Sequence, residues 1–230
     1  MLAFEGVTSR YGDRTALEEL SFTLERGERV AIVGPSGAGK TTLFRLCYAA
    51  FAPTAGRVLL DGADLALLRG RALRTARSTI AVIFQNHNLV ERLDVGRNVL
   101  CGTLGRRSTA DALRTIVTPR SGDWELARSA LERVGLADRL RSRAHALSGG
   151  QRQRVAIARG IAQRAQLVIA DEPAASLDPE LSVEIVDVLL RDAADRSATL
   201  LCSLHQPELA RRFDRVLRIE GGRLASDLRP

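Results

Sequence analysis

Long apolar runs, lysines and a set of pairable cysteines are all scarce in this 230-residue chain. Its apolar stretches, such as Leu167-Val168-Ile169-Ala170, fall far short of the roughly 18 to 20 residues that cross a bilayer. No basic segment leads into an apolar one at the N-terminus, so neither a membrane span nor export is expected. Cys47, Cys101 and Cys202 are odd in number and far apart, which excludes a disulfide framework or a zinc site read from spacing. Their apolar surroundings suggest buried, reduced thiols of a cytosolic protein. Aromatic residues make up only 4%, but with 45% hydrophobic and 27% charged residues the chain has ample material for one core, and disorder is excluded.

Lysine is nearly absent. Of 34 basic residues all but one are arginine, and the single lysine, Lys40, lies inside Gly34-Pro35-Ser36-Gly37-Ala38-Gly39-Lys40-Thr41. Arginine's planar fork does not replace a compact ammonium beside phosphate oxygens in a tight loop, so this one position keeps the residue the rest of the chain avoids. The formal charge of +7 could attract nucleic acid or an anionic membrane. The arginines are scattered along the chain, however, and no nucleic-acid partner is expected.

Two short strands are predicted over Leu2–Thr8 and Ala16–Leu24, separated by Tyr11-Gly12-Asp13, and they suggest an N-terminal antiparallel layer. Arg29–Val33 reads as a strand, the glycine loop comes next, and from Thr41 the apolar residues Leu43, Phe44, Leu46 and Cys47 take helical spacing. Pro53-Thr54-Ala55-Gly56 ends that helix, Arg57–Leu60 is a strand closed by Asp61-Gly62, and Ile80–Phe84 is another. Residues 86–146 lose β character, and Leu126, Ala127, Ala130, Leu131 and Val134 recur at helical intervals, which predicts a helical subdomain inserted into an α/β core of residues 1–85 and 147–230. Further on come a helix over Gln151–Gln163, strands at Leu167–Ala170 and Thr199–Leu204, a helix over Leu181–Leu190, and a hairpin around Gly221-Gly222. The alternation predicts a mostly parallel sheet covered on both faces.

The loop has the pattern Gly, four residues, Gly-Lys-Thr between a strand and a helix. Its glycines let backbone N–H groups curl around phosphates at a helix N-terminus; Lys40 would reach the β- and γ-phosphates and Thr41, followed by Thr42, would place its hydroxyl on magnesium. Leu167–Ala170 delivers two carboxylates, Asp171 as a magnesium partner and Glu172 as the group that polarises an attacking water. To this point the residues describe a P-loop NTPase.

Leu147-Ser148-Gly149-Gly150-Gln151, followed by Arg152-Gln153-Arg154-Val155-Ala156-Ile157-Ala158-Arg159, resembles the signature segment of the ATP-binding cassette (ABC) proteins. The resemblance implies the ABC ATPase fold, a RecA-like P-loop core with an antiparallel β layer and an inserted α-helical subdomain. It implies that Ser148, Gly149, Gly150 and Gln151 complete the ATP site of a second subunit, the same chain or a paralogue, in a twofold dimer with ATP sandwiched between. It further implies that Tyr11 stacks on adenine and that Gln85 contacts magnesium and the attacking water. Ser176-Leu177-Asp178 would cross the dimer interface and His205 would contact the γ-phosphate. His87 and His145 read as ordinary histidines. Gly160 departs from the family by standing where alanine is common.

The strings Phe84 to Val95, Asn98 to Gly102, Ala175 to Pro179 and Leu204-His205-Gln206 look like those of the phosphonate importer ATPases within that family. This implies an ATPase at the cytoplasmic face of the bacterial inner membrane, coupled to integral membrane permease subunits and, indirectly, to a solute-binding protein. A soluble cassette acting on DNA or ribosomes, or an exporter or lipoprotein-releasing ATPase, are the alternatives. One cassette and a 60-residue insert without sustained heptads speak against the first of these.

Overall fold

The computed structural model describes residues 1–175 and 177–229. β1 (Leu2–Tyr11) and β2 (Arg14–Leu24) form an antiparallel hairpin through Gly12-Asp13, with Leu2 opposite Leu24 and Tyr11 opposite Arg14. Alternate residues Leu2 and Phe4 are buried, and Phe4 stacks on Phe22 at 4.7 Å, as cross-strand aromatic pairs do on a half-buried sheet. β3 (Arg29–Val33) then enters the interior and leads into α1 (Lys40–Cys47). β4 (Ala55–Leu60) pairs with the other edge of β1, and β5 (Ala63–Asp64) completes a four-stranded layer in the order β2-β1-β4-β5.

α2 (Gly70–Ser78) precedes β6 (Ile80–Ile83). The sequence pattern does not predict α2, because its apolar face is only Leu73 and Ala76, both half-buried, in a nine-residue stretch that holds three arginines and no fully buried residue. Next come α3 (Val95–Leu100), a 3-10 segment over residues 101–106, α4 (Thr109–Val117) and α5 (Ser121–Glu132). Asp94 and Ser108 cap α3 and α4 by accepting backbone N–H groups. Val95 and Gly96 donate to the carbonyls of Ser142 and Leu140, so the two ends of this helical insertion meet at a neck.

The chain returns through α6 (Gly149–Gln163), β7 (Leu167–Ala170), α7 (Pro179–Arg196), β8 (Thr199–Ser203), the short α8 (Pro207–Ala210), β9 (Arg215–Glu220) and β10 (Arg223–Leu228). α7 extends well beyond Leu181–Leu190 because Asp178 caps it at one end and Ser197, in the left-handed conformation, closes the other. The central sheet runs β10-β9-β3-β8-β7-β6, parallel except for the β9–β10 hairpin.

Strand alternation divides the core. Ile32, Leu167, Ile169 and Leu201 face α1 and the antiparallel layer, whereas Ala81, Ile83, Val168, Ala170, Leu200 and Cys202 face the helices. Val95, Val99, Leu100, Ala127 and Leu131 of the insertion belong to that second cluster, together with Val155 and Ile157 of α6, so the insertion has no core of its own. Cys47 and Cys202 are fully buried, but Cys101 is only half-buried, a correction to its expected burial: it lies in a surface groove beside α6. Gly160 lets α6 press on β6, because a Cβ there would lie 3.2 Å from Ile83 Cγ1.

The two sheets are tied by Arg215. Its guanidinium donates to both oxygens of Asp227 at 2.6 Å, to the Thr23 carbonyl at 2.8 Å and to Glu28 at 3.2 Å, while remaining 8% exposed. Removing one partner of such a network strands the others, so Arg215→Ala is expected to cost about 3 kcal/mol of stability. Arg215→Lys, which keeps the charge but loses the fork, is expected to cost less. Equilibrium denaturation in urea measures both, and an unchanged midpoint for Arg215→Ala would refute the tie.

Candidate functional site

The phosphate-loop glycines are required by close approach. At Gly34 (φ +155°) a Cβ would lie 2.1 Å from the Ile219 carbonyl oxygen, and at Gly39 (φ +105°) 2.5 Å from that of Ala16. The loop is thus pressed between the ends of β9 and β2, where only glycine fits. Gly34 and Pro35 turn their carbonyls toward Lys40, whose Nζ donates to them at 2.9 and 3.2 Å. Ala38 is buried and its carbonyl accepts from the Gly222 N–H. Lys40 is 5% exposed, with Nζ 4.0 Å from Glu172 Oε1.

A cavity of about 350 Å³ opens over this loop. Tyr11, Ser36, Gly37, Gly39, Lys40, Thr41, Thr42 and Glu172 line it, together with Arg14 and Ala16, which no sequence motif singles out. Tyr11 is 47% exposed and packs edge-on against Phe51 at 5.7 Å, leaving its ring accessible. Arg14 sits directly opposite Tyr11 across the β1–β2 turn, a pairing that only the hairpin register reveals.

β7 ends at Ala170 and presents Asp171 and Glu172 beside the loop. The Asp171 N–H donates to the Ile83 carbonyl at 2.9 Å, which continues the β6–β7 ladder by one step. Burial pushes the Asp171 carboxyl up from its ordinary value and the Glu172 charge adds to this; hydrogen bonds from Ser203 and Thr41 and the charge of Lys40 pull the other way. Glu172 has φ +50°, a left-handed conformation that costs a non-glycine residue about 1 kcal/mol or more. Two contacts hold it there: its N–H donates to Ser203 Oγ at 2.8 Å, and its Oε1 lies 2.6 Å from His205 Nε2. The same Ser203 hydroxyl donates to Asp171 Oδ1 at 2.9 Å, so one serine orients both acids. No sequence motif singles out Ser203, whose only signal is a hydroxyl at the end of a largely apolar strand.

Glu172, Ser203, His205 and Gln206 also line a second cavity of about 310 Å³, with Leu177 and Leu209. Glu172 therefore forms a wall between the two cavities. Gln85 is exposed, two residues beyond β6, and lines neither cavity. Ser148 to Gln151 are also outside both. Ser148 caps α6 in a reciprocal box with Gln151, and Gly149 has open space around it. A Cβ on Gly150 would lie 2.8 Å from Leu181 Cδ2, so this turn packs on α7. Asp178 accepts the Leu181 N–H at 2.8 Å as the cap of α7, whereas Ser176 lies outside the described residues.

The sequence model of the ABC transporter family matches residues 17–175. The phosphonates import ATP-binding protein PhnC of Frankia casuarinae is 46% identical over 97% of this chain and 88% of its own. Its counterpart in Nitratidesulfovibrio vulgaris is 47% identical over 93% of this chain and 80% of its own. Among solved structures, the dimeric ATP-binding cassette MJ0796 in a post-hydrolysis state with ADP and Pi superposes with a TM-score of 0.86, at 26% identity, over 100% of this chain and 98% of that one. The cbiO1 subunit from Clostridium perfringens, part of the cbiONQ transporter complex, gives a TM-score of 0.83 at 28% identity, over 100% and 88% of the two chains.

A carboxyl whose folded-state pKa is raised contributes stability at low pH and loses it as pH rises through that pKa. The ionised Asp171 therefore costs the ligand-free fold stability near neutral pH. Asp171→Asn is expected to raise the thermal midpoint near neutral pH, with the gain shrinking toward about pH 4. Thermal denaturation across that range reads it out; a lower midpoint than wild type at neutral pH would show that the charge is compensated.

Proposed function

Because the chain belongs to the ABC transporter family, whose cassettes hydrolyse ATP, we propose that it energises a bacterial importer for phosphonates or a related oxyanion. The observation that carries the ATPase reading is the cluster at the strand ends in which Lys40 Nζ lies 4.0 Å from Glu172, Glu172 meets His205 at 2.6 Å and Ser203 joins Glu172 to Asp171, with Lys40 and Glu172 lining the cavity over the glycine loop. The solute assignment is supported by the 45–47% identity to several phosphonates import ATP-binding proteins. None of the site residues would contact that solute, which passes through the permease.

In this reading the backbone N–H groups of the loop from Gly34 to Thr41, Pro35 excepted, and the Lys40 ammonium bind the β- and γ-phosphates, with Thr42 beside them, and Tyr11 stacks on adenine. Thr41 and Asp171 would hold magnesium, and Gln85, which lies outside the cavity, would have to swing in to join them. The donor set fits: all are oxygen ligands, one is a desolvated carboxylate in need of a cation, and magnesium uses few protein ligands because it keeps phosphate oxygens and waters. When bound, the ion neutralises charge developing on the phosphate oxygens. Glu172 accepts the proton of the attacking water, and His205, 2.6 Å away, fixes the orientation of its carboxylate. Water adds to the γ-phosphorus, the bond to the β-γ bridging oxygen breaks, and ADP and phosphate leave.

Ser148-Gly149-Gly150-Gln151 sits at the exposed start of a 15-residue helix yet lines no cavity of its own chain, which supports a role in the site of a second copy or a paralogue, with Asp178 near the same interface. Residues 86–146 act as the moving subdomain. The groove of about 500 Å³ bounded by Leu73, Arg77, Val82, Phe84, Gly102 and Gln163 receives a permease segment at the cytoplasmic face of the membrane. No helix among the described residues is long and apolar enough to cross a membrane, which suits a peripheral subunit.

Glu172→Gln is expected to keep ATP affinity and lower steady-state hydrolysis by at least about 10²-fold, whereas Lys40→Ala loses ATP affinity itself. Calorimetry and a phosphate-release assay separate the two. Rapid turnover by Glu172→Gln, or unaltered ATP binding by Lys40→Ala, would overturn the assignment. Co-purification with a membrane permease tests the transport half.

A further inference from the structure

The segment that leaves β6 carries two successive non-glycine residues in the left-handed region, His87 (φ +58°) and Asn88 (φ +48°). Such residues are uncommon, and although His and Asn enter this region more readily than most, two in succession form a tight reversal that a further contact stabilises. That contact comes from α6. Arg159 donates from Nη2 to the His87 carbonyl and from Nη1 to the Asn88 carbonyl, both at 2.7 Å, so one planar fork spans two consecutive carbonyls.

Arg159 forms no ion pair with any carboxylate among the described residues. Its half-buried charge is balanced by those carbonyl dipoles. Its own backbone is fixed as well: a Cβ on Gly102 would lie 2.2 Å from the Arg159 carbonyl oxygen, so the 3-10 segment closes directly over it. Farther along, the buried Asn98 side chain accepts from the Val90 N–H at 2.7 Å and donates to the Val90 carbonyl at 3.0 Å. Gln85 therefore lies between the end of β6 and a stretch pinned at 87, 88 and 90.

We propose that Arg159 is a positioning residue for Gln85: its fork locks the segment after β6 onto α6, so that Gln85 and the helix beginning at Ser148-Gly149-Gly150 move as one body. This rests on the reading of Gln85 as a residue that reaches the magnesium and water of the ATP site. A displacement of Gln85 then reaches the start of α6 through two hydrogen bonds, without passing through α3, α4 or α5. Arg159 and Phe84 also line the groove assigned to the permease, which places the same fork between that groove and the nucleotide.

The test is a double-mutant cycle on the full chain, reading kcat and KM for ATP, with ATP affinity measured separately. Arg159→Lys keeps the cation but loses the fork, and is expected to lower kcat about tenfold with ATP affinity unchanged within about twofold. In a Gln85→Ala background the same change is expected to lower kcat by less than about twofold, because the residue acts through Gln85. Asn88→Val, at an exposed site with Arg159 intact, disfavours the left-handed conformation from the other side. It is expected to reproduce the kcat loss and not to add to that of Arg159→Lys. Independent, multiplying effects of Arg159→Lys and Gln85→Ala, or a wild-type kcat for both Arg159→Lys and Asn88→Val, would overturn the proposal while leaving the ATPase reading intact. Full turnover by Gln85→Ala would overturn the role of Gln85 and this proposal with it.

Discussion

Parallel register across β3, β8, β7 and β6 is the constraint on which the rest of the site depends. Ile32 pairs with Ser203, Cys202 with Ala170, and Ala170 with Ile83. Ala31, Cys202, Ala170 and Ile83 are therefore level, the strands end at or just beyond them, and their C-terminal continuations emerge on one edge of the sheet: the glycine loop after β3, His205 after β8, Asp171 and Glu172 after β7, Gln85 after β6. Ligand sites at the carboxyl ends of parallel strands are a consequence of this geometry. A one-residue slip of β7 would turn Val168 and Ala170 from the helical face to the other and carry both acids out of reach of Ser203.

Along that edge the electrostatics are arranged around a shortage of water. Asp171 is desolvated and raised, Lys40 is buried against carbonyls, and Glu172 is held in a conformation it would not otherwise adopt. Ser203 connects these features because its one hydroxyl serves the backbone of one acid and the side chain of the other. Arginine is used differently elsewhere in the chain. Arg107 and Arg114 share Asp111 and Asp123, Arg215 gathers Asp227 and Glu28, and Arg77, Arg106 and Arg159 cap backbone carbonyls. Many of the arginines behind the +7 formal charge are thus engaged inside the molecule.

The helical insertion is bound to the central sheet by a continuous apolar cluster and by α6, which touches both. The insertion and α6 therefore share one core. The close approach at Gly160, the Gln163 side chain, which donates to the Ile80 carbonyl at 2.7 Å, and the Arg159 fork are places where α6 meets β6 and its continuation.

The central strands and four of the eight helices, α1, α5, α6 and α7, are legible in the amino-acid sequence because each carries a local signal: an apolar run for β7, a 3.6-residue stripe for α6. The phosphate loop was legible for the same reason, since its glycines, its lysine and its flanking elements lie within some twenty consecutive residues. α2, α3, α4 and α8 are not legible individually because each is short, four to nine residues, and Arg14 and Ser203 are not because their partners lie across a hairpin or 31 to 32 residues away. The left-handed conformation of Glu172 belongs to that second group, since no residue-type preference favours it there, whereas His87 and Asn88 are types that enter this region more readily but that no motif marks. Sequence settled which chemical groups the chain owns and which elements carry them. The folded sheet settled which of those groups meet, because register and side-chain reach are properties of the assembled core and not of any one segment.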